Sequence, residues 1–283
     1  MAVTRKDVEK AAKELGLKNG DTVIIHSSYK SMGEIEGGAE TVINGFFDAV
    51  GQDGTLVFPT LVAQNFTQAY QTWSLDKPSD MGYLTNYFRL REGSIRSDQA
   101  THSVAAGGRL AKYLTETHGQ TGKRIGCSGD TAFSADSPWQ KMYDMDAKTV
   151  LLGVGSRKTT FRHLAEYIYV NELLDSVKEH KNYDALVNKL AREHEGVHGR
   201  WPAVYSPWVE RKLEKMGAVK RTKLGDAELM CYNAKIFVDT VLSALRNEEW
   251  DILKWEGVDY TGKKLGWTYF TDEVKQTKEE LNK

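Results

Sequence analysis

Residues 22–60 constrain the fold of this chain more than any other segment, because they read in order as a strand, a polar loop, a helix and a second strand. The apolar runs at 22–26 and 55–59 have the length of buried strands, and the helix at 39–50 carries its apolar residues at helical spacing. Two parallel strands joined by a helix require a right-handed crossover. A third apolar run, at 148–154, is followed at once by another helix. We therefore predict an α/β fold with a mixed, partly parallel central sheet flanked by helices.

The remainder of the chain fits the same architecture. Helical spacing recurs at residues 162–174, and strand patterns occur at 218–222 and 228–232. Residues 175–201 are charged and poor in aromatic side chains, which predicts an exposed helical insertion. The sequence shows no internal repeat, no low-complexity segment and no linker of distinct composition. We expect a single domain that spans residues 1–283.

Composition and charge exclude several classes of protein. With 38 basic and 39 acidic residues, the 283-residue chain has a formal net charge of −1, which argues against a nucleic-acid partner held by a general positive field. Cys127 and Cys231 lie far apart and suggest neither a disulfide framework nor a zinc site. The N-terminal segment is charged and helical, with Thr4 as the predicted N-cap, and no apolar run is long enough to cross a bilayer. These features predict a soluble, cytoplasmic protein without a membrane partner, and they leave its oligomeric state open.

His163 and Glu166 are the strongest candidates for chemistry. They are three residues apart in the helix that follows the third apolar run, so their side chains share one face. The positive end of the helix dipole favours a neutral imidazole, whereas a neighbouring carboxylate favours the imidazolium and orients the ring. That combination suits a general base that works near neutral pH. The alternative is a histidine that caps the first turn, with Glu166 as a solvated surface charge.

Three polar clusters lie at strand ends or ahead of helices, where ligands bind in open α/β sheets. His26-Ser27-Ser28 follows the first strand, and Gly37-Gly38 precedes the first crossover helix. Exposed backbone N–H groups at such positions bind phosphate or carbonyl oxygens, although an ordinary strand-to-helix connection also uses glycine and serine. Arg96-Ser97 and His102-Ser103-Val104 form the third cluster. An arginine with hydroxyl neighbours suits a phosphate-bearing ligand.

One formal motif points to different chemistry. His194-Glu195-Gly196-Val197-His198 matches the H-E-x-x-H pattern of zinc hydrolases, in which both histidines bind the metal and the glutamate acts as base. Gly196 weakens the helix that this arrangement requires, and the flanking residues are charged and include Pro202. A zinc metallohydrolase that uses His194, Glu195 and His198 is therefore the remote alternative, and we expect no metal.

Five segments in order along the chain resemble landmarks of the aminoglycoside 3-N-acetyltransferases, the antibiotic N-acetyltransferase family. The segments are VIIHSSYKSMG with EGGAETVI, DGTLVFPT, IRSDQATHSVAAGG, DSPWQKMYDMDAKTVLLGVG and TTFRHLAEY. The resemblance extends from residue 4 to residue 253. It implies the fold of that family and the transfer of an acetyl group from acetyl-CoA to the 3-amino group of an aminoglycoside antibiotic, which would confer resistance.

The resemblance also implies roles for individual residues. His163 corresponds to the catalytic histidine and Glu166 to its acidic neighbour. The walls of the coenzyme A tunnel would be formed by His26, Ser27, Ser28, Tyr29, Gly37, Gly38, Arg96, Ser97, His102, Ser103, Val104 and Ala105. A polycationic aminosugar needs carboxylates, and the candidates are Glu166, Asp76, Asp80, Asp136 and Asp144. Thr60, at the end of a strand, is a further candidate for the substrate pocket.

The sequence departs from the family pattern at four places. Gln99-Ala100 replaces a His-Pro pair that commonly precedes the T-H-S-V-A segment, and Thr159 stands where asparagine is more usual. Phe161-Arg162 is bulkier than typical, and the insertion at 175–201 is specific to this chain. The last two border the expected acceptor site. N-acetylation of another small amine is therefore the alternative function.

Overall fold

The computed structural model describes residues 2–62, 66–190, 200–258 and 265–282, which form a seven-stranded sheet in the order β3-β4-β2-β1-β5-β7-β6. The strands are β1 Thr22–Ser27, β2 Thr55–Pro59, β3 Ser94–Arg96, β4 Val104–Gly108, β5 Lys148–Leu152, β6 Lys220–Leu224 and β7 Ala227–Asn233. The strands predicted from the three long apolar runs correspond to β1, β2 and β5. The two later strand patterns correspond to β6 and β7.

Three adjacent strands at the centre of the sheet are parallel. Strand β1 pairs in parallel with β2 on one side and with β5 on the other. Both edges are antiparallel, because β4 and β3 extend the sheet beyond β2, and β7 and β6 extend it beyond β5. The predicted mixed, partly parallel sheet is confirmed. Since β1, β2 and β5 run in one direction, their carboxyl ends meet at the same edge of the sheet.

Helices cover both faces of this sheet. They are α1 Arg5–Glu14, α2 Gly38–Val50, α3 Phe66–Gln71, α4 Tyr83–Leu90, α5 Ala111–Thr115, α6 Pro138–Asp144, α7 Phe161–Asp175, α8 Tyr183–Lys189, α9 Ser206–Lys215, α10 Ala234–Arg246 and α11 Gly266–Leu281. The helices predicted at 39–50 and 162–174 begin and end within one residue of α2 and α7.

Side chains of the central strands point alternately into two apolar layers. Val23 and Ile25 of β1 belong to the layer that contains residues of α1 and α2, whereas Ile24 belongs to the layer that contains residues of α7 and α10. Phe46 of α2 and Phe237 of α10 are fully buried, one in each layer. Because both faces are covered, the central strands read as continuous apolar runs rather than as alternating patterns.

The edge strand β4 brings a loop to the carboxyl end of β2. It runs antiparallel to β2 with Val104 opposite Pro59, so that His102 and Ser103, which precede β4, lie beside the end of β2. Arg96 is the last residue of β3, and Ser97 follows it directly. This strand has three residues and β4 ends in two glycines, so neither shows a clear strand pattern.

Part of the predicted helical insertion is described, since α7 continues to Asp175 and α8 follows it. The zinc hypothesis depends on His194, Glu195 and His198, which lie outside the described residues. In the part of the chain that the structure covers, no group of three or more His, Cys, Asp or Glu side chains is placed to hold a metal ion. No helix in that part is long and apolar enough to cross a membrane.

Candidate active site

His163 and Glu166 lie together at the start of α7, just beyond the carboxyl end of β5. His163 is the third residue of the helix, and its Nδ1 atom lies 2.8 Å from Oε2 of Glu166. The side chain of His163 is 14% exposed and that of Glu166 is 1% exposed, so the pair reaches solvent only through the imidazole. Thr160 is the N-cap residue of α7, but its side chain makes no capping hydrogen bond.

The buried carboxylate of Glu166 accepts three hydrogen bonds. Besides the bond to His163, Oε2 accepts from the Trp201 indole N–H at 2.9 Å, and Oε1 accepts from the Val204 backbone N–H at 2.8 Å. Burial alone would raise the pKa of Glu166, but the interactions with His163, Arg162 and Trp201 outweigh it and hold the pKa below its usual value. An ionised carboxylate can only accept, so Nδ1 of His163 carries the proton and Nε2 carries the lone pair.

Aromatic side chains surround the imidazole of His163. The ring of His102 lies edge-on at a centroid distance of 5.9 Å, and the ring of Phe133 lies at 6.1 Å. Phe133 also packs on His102 at 4.7 Å and on Tyr167 at 4.8 Å, so one buried ring contacts both histidines. The backbone carbonyl of His102 accepts from the Trp139 indole N–H at 2.8 Å. These contacts fix the two imidazoles relative to each other.

Gln99 holds the turn that carries His102, a role that the sequence did not reveal. Its Oε1 accepts from the backbone N–H groups of Thr101, at 2.8 Å, and of His102. Its Nε2 donates to the Tyr70 hydroxyl at 2.7 Å and to Thr131 Oγ1 at 3.2 Å. A buried amide that uses both its oxygen and its nitrogen fixes the backbone of this turn. The sequence feature that could have indicated this role is the presence of Gln99-Ala100 in place of the His-Pro pair that is common in the family.

Arg96, predicted to bind phosphate, donates to groups of the protein itself. Its Nε lies 3.2 Å from both Thr60 Oγ1 and Ser103 Oγ, and Nη2 donates to the Thr60 carbonyl at 2.8 Å. Nη1 donates to the carbonyls of Leu75, at 2.9 Å, and of Lys77. Burial lowers the pKa of Arg96 to about 10. These hydrogen bonds tie the loop beyond β2 to the sheet, so the geometry favours a structural role for Arg96.

Ser97 and the start of β4 are also held inside the protein. The Ser97 hydroxyl lies 2.9 Å from His118 Nδ1 and accepts from the Val104 backbone N–H at 3.0 Å. Ser103 and Thr60, both fully buried, place their hydroxyl oxygens 2.8 Å apart. The residues with no exposed surface in this group are Thr60, Ser97, Ser103, Val104 and Ala105. They shape the carboxyl end of β2 from within.

A cleft of about 280 Å³ opens at the carboxyl ends of β1 and β2. Its wall includes His26 and Ser27 from β1, Asp80 from the loop before α4, and Lys158 from the turn before α7. His26 points to the same sheet face as Ile24, the face on which α7 packs. Its buried Nε2 has no hydrogen-bond partner in the described structure, and burial lowers the pKa of His26 to about 4. A neutral imidazole therefore stands in the wall of this cleft.

The loop between β1 and α2 lies at the same edge. Gly37 and Gly38 have φ values of +73° and +70°, a conformation that side chains disfavour. A side chain at Gly38 would contact the hydroxyl of Tyr29, whose ring packs edge-on against Tyr83 at 4.9 Å. Ser28 leads from β1 into this loop. A Cβ atom at Gly37 would lie only 2.7 Å from Thr41 Oγ1, so the fold of the turn itself requires glycine there.

The structure places the predicted acceptor-site carboxylates in different regions. Asp80 lines the 280 Å³ cleft, and Asp76 lies in the exposed loop that Arg96 holds. Asp136 accepts from the backbone N–H groups of residues 119–121 and ties that loop together. Asp144 ends α6, on the side of the sheet where β5 begins. A larger cleft, of about 730 Å³, opens on that same side between α9 and α10 and is lined by neither His163 nor Glu166.

Arg162 lies directly beside the imidazole and was not among the predicted site residues. Its Nε donates to Nε2 of His163 at 3.2 Å, and Nη1 donates to the Val204 carbonyl at 3.4 Å. The guanidinium carbon lies 5.3 Å from the centroid of the Trp255 ring. Burial lowers the pKa of Arg162 and the charge of Glu166 opposes that shift, but an arginine stays charged at neutral pH. A positive charge therefore lies next to the nitrogen that carries the lone pair.

A histidine oriented by a buried carboxylate lies at the carboxyl edge of the partly parallel sheet of this α/β protein, where ligands bind in folds of this class. The model of the aminoglycoside 3-N-acetyltransferase family matches residues 24–246 of this chain. The chain belongs to that family. The matched region includes both members of the His163–Glu166 pair.

A curated relative agrees with the family assignment. Aminoglycoside N(3)-acetyltransferase III from a Salmonella species is 32% identical to this chain over 182 residues. The matched part covers 58% of this chain and 60% of that relative, so the match spans less than two thirds of the relative's length.

Two solved structures share the fold. AAC-IIIb in a binary complex with CoASH gives a TM-score of 0.68 at 17% identity, with 88% of this chain and 98% of that chain covered. A variant of AAC(3)-IVa in complex with a gentamicin also gives a TM-score of 0.68 at 17% identity, with 98% of each chain covered. At this level of identity the similarity shows the fold alone.

Proposed function

We propose that this protein transfers an acetyl group from acetyl-CoA to an amine of an aminosugar, the 3-amino group of an aminoglycoside in the form that the family implies, with His163 as the general base. The observation that carries the proposal is the His163–Glu166 pair in a chain of this family. Nδ1 is held 2.8 Å from a buried carboxylate, which leaves Nε2 to take a proton. Acetylation removes the charge of the amine, so resistance to the antibiotic would follow.

The proposed reaction needs a proton acceptor next to the attacking amine, because an ammonium has no lone pair. Nε2 of His163 takes the proton, and the neutral amine nitrogen bonds to the thioester carbonyl carbon. The carbon–sulfur bond breaks, and the imidazolium gives its proton to the thiolate, which leaves as free thiol. The attacking nitrogen, which became positively charged when it bonded to the carbonyl carbon, releases its remaining extra proton to solvent, so that the product is a neutral amide. Glu166 keeps the ring oriented and stabilises the imidazolium while it exists.

Residues at the ends of β1 and β2 fit a coenzyme A ligand, which supplies the activated acyl group. The cleft of about 280 Å³ is lined by His26 and Ser27, and the Gly37-Gly38 turn follows β1 at the same edge of the sheet. The unpartnered buried Nε2 of His26 offers a hydrogen bond to a ligand at this edge. The solved relative with CoASH bound supports the same choice of acyl carrier. We propose that residues at this edge contact coenzyme A directly. The buried residues behind the edge would support its shape without touching the ligand; they are Arg96, Ser97, His102, Ser103, Val104 and Ala105.

Acetylation of another small amine is the second candidate, and one observation favours it. Arg162 donates to Nε2 of His163 at 3.2 Å, in the place that the ammonium group of a polycation would have to approach. Like charges at such a distance repel each other. Both candidates share the acetyl donor and the base, and they differ only in the acceptor.

Release of free thiol from acetyl-CoA tests the proposed function. Purified protein supplied with gentamicin is expected to release thiol and to yield a product heavier by one acetyl group, and NMR of the product locates that group. A reaction without amine measures background hydrolysis. If the protein binds coenzyme A but releases no thiol from acetyl-CoA with any aminoglycoside, an aminoglycoside is not its acceptor. If no amine at all causes thiol release, the protein is not an acetyltransferase.

Glu166→Gln is expected to lower kcat at least about tenfold with little change in KM for acetyl-CoA. The carboxylate accepts from three donors, and an amide in its place turns one N–H toward His163, Trp201 or Val204. Steady-state thiol release measures both constants. Glu172→Gln is the matched control, because Glu172 lies on the same helix but forms an exposed pair with Arg246. Equal kcat in both variants would show that Glu166 does not position His163.

A further inference from the structure

Arg162, which contacts His163, belongs to a group of five neighbouring side chains. The guanidinium carbons of Arg162 and Arg157 lie 5.3 Å and 6.0 Å from the centroid of the Trp255 ring. Those of Arg157 and Arg211 lie 5.2 Å and 5.9 Å from the centroid of Tyr205, whose ring packs on Trp255 at 5.3 Å. We call these five residues the arginine–aromatic cluster. It concentrates three permanent positive charges around two aromatic rings.

The carboxylate that pairs with two of these arginines is exposed. Glu256 lies 3.8 Å from Arg157 and 3.4 Å from Arg211, and its side chain is 65% exposed. Glu166, the carboxylate nearest to Arg162, already accepts from His163, Trp201 and Val204. The cluster therefore has more positive than negative charge, and its exposed members can turn toward a ligand. Exposed ion pairs of this kind exchange readily for a better acceptor.

This arrangement has a chemical consequence for the acceptor of the acetyl group. The attacking amine must come within hydrogen-bond distance of Nε2 of His163, which at present accepts from Arg162 Nε at 3.2 Å. A polycation brings further positive charge against this guanidinium. A carboxylate or phosphate, in contrast, accepts two parallel hydrogen bonds from it. Arg162 can then turn away from the imidazole and leave the lone pair of Nε2 free.

We propose that the arginine–aromatic cluster is an anion-binding subsite, and that the preferred acceptor is a small amine that also carries a carboxylate or phosphate group. Arg162 is the specificity-determining residue, because it contacts both the base and the position that the anionic group would take. The inference rests on the proposed acetyl transfer and narrows its acceptor. It makes an aminoglycoside without an anionic substituent the poorer of the two kinds of acceptor.

Matched acceptors test the subsite. The values of kcat/KM are measured by thiol release with glucosamine, glucosamine 6-phosphate and muramic acid, so that phosphate and carboxylate are compared with no anion. The wild-type protein is expected to prefer an anionic acceptor about tenfold to a hundredfold, the scale of a charge-assisted hydrogen bond. Arg162→Met should abolish this preference, so that the ratio of kcat/KM between an anionic acceptor and glucosamine falls to about one, whatever the absolute rates are. Arg162→Lys keeps the positive charge but lacks the planar guanidinium that donates two parallel hydrogen bonds, so it should retain part of the preference.

Arg157→Met provides a second variant that does not disturb the packing around His163, because this side chain is 53% exposed. It should reduce the preference for anionic acceptors in the same direction. Arg246→Met is the control, since it removes a half-exposed arginine at the end of α10 that pairs with Glu172 of α7. Isothermal titration of glucosamine 6-phosphate in the presence of coenzyme A supplies a readout that needs no turnover.

Three results would overturn the inference. The first is equal kcat/KM for all three acceptors in the wild-type protein, and the second is an anion preference that survives Arg162→Met. The third is weaker coenzyme A binding by Arg157→Met and Arg162→Met with an unchanged acceptor ratio, which would assign the cluster to the phosphates of the acyl carrier. Anion binding that depends on Arg162 without thiol release from any amine would uphold the subsite and refute the acetyltransferase.

Discussion

His163→Gln is expected to lower kcat/KM for acetyl transfer at least about a hundredfold, the scale of a positioned general base. An amide side chain takes no proton near neutral pH, so the acceptor amine would have to lose its proton to water before it attacks. The imidazole is held by Glu166, Phe133 and His102, and it is only 14% exposed, so its loss removes a base of fixed geometry. The rate of thiol release at saturating acetyl-CoA measures the effect.

The same experiment separates the base from the binding site. Affinity for coenzyme A, measured by titration calorimetry, should be unchanged in His163→Gln, and higher pH should restore part of the rate because more of the amine is neutral. His180→Gln is the matched control, since His180 lies beyond the end of α7 and pairs with Glu280. If His163→Gln turns over at the same rate as this control, the protein still catalyses acetyl transfer, but His163 is not the general base.

The sequence predicted the central strands and their crossover helices closely because their physics is local. Strands β1, β2 and β5 are buried on both faces, so each reads as a continuous apolar run bounded by turn residues. Thr4 forms the predicted cap of α1, with its backbone N–H bonded to Asp7 at 2.9 Å. Strands β3 and β4 were missed, because three residues and a run of small side chains carry no period of their own. Their pairing with β2 is decided by long-range hydrogen bonds.

The candidate site divides in the same way. The spacing of His163 and Glu166 sufficed to predict that they share a helix face, and they do lie 2.8 Å apart. The other hydrogen-bond donors to the buried Glu166 carboxylate belong to Trp201 and Val204, more than thirty residues away in the sequence. No local sequence pattern could identify them. Arg96 shows the converse case. Its residue type suggested a ligand, but the protein's own carbonyls and hydroxyls use its donors.

Buried histidines make the stability of the fold depend on pH, and His26 and His118 are two whose pKa is lowered by burial. His26 is 5% exposed and His118 is 6% exposed, and burial lowers the pKa of each to about 4 from an ordinary value of 6.5. Between these two values the unfolded chain binds protons that the folded protein does not, so a fall in pH favours unfolding. The stabilisation is complete above pH 6.5 and is lost near pH 4. Carboxylates with lowered pKa values, such as Glu40 and Glu166 with an ordinary value of 4.5, add to this loss as the pH falls toward 4.5. The contribution of the histidines is therefore clearest between pH 6.5 and about pH 5.

The free energy of unfolding is therefore expected to fall by about 1.4 kcal/mol per pH unit for each of these histidines as the pH drops from 6.5 toward 4. Urea unfolding followed by circular dichroism at fixed pH values across this range measures the slope. His26→Leu should reduce the slope by about 1.4 kcal/mol per pH unit, because the contribution of His26 is removed. His26 is the better position for this substitution, since its buried Nε2 has no partner in the described structure, whereas His118 is bonded to Ser97 and to the Ala132 carbonyl. If His26→Leu unfolds with the slope of the wild-type protein, His26 is already protonated in the fold, and the neutral imidazole that we place in the wall of the coenzyme cleft is wrong.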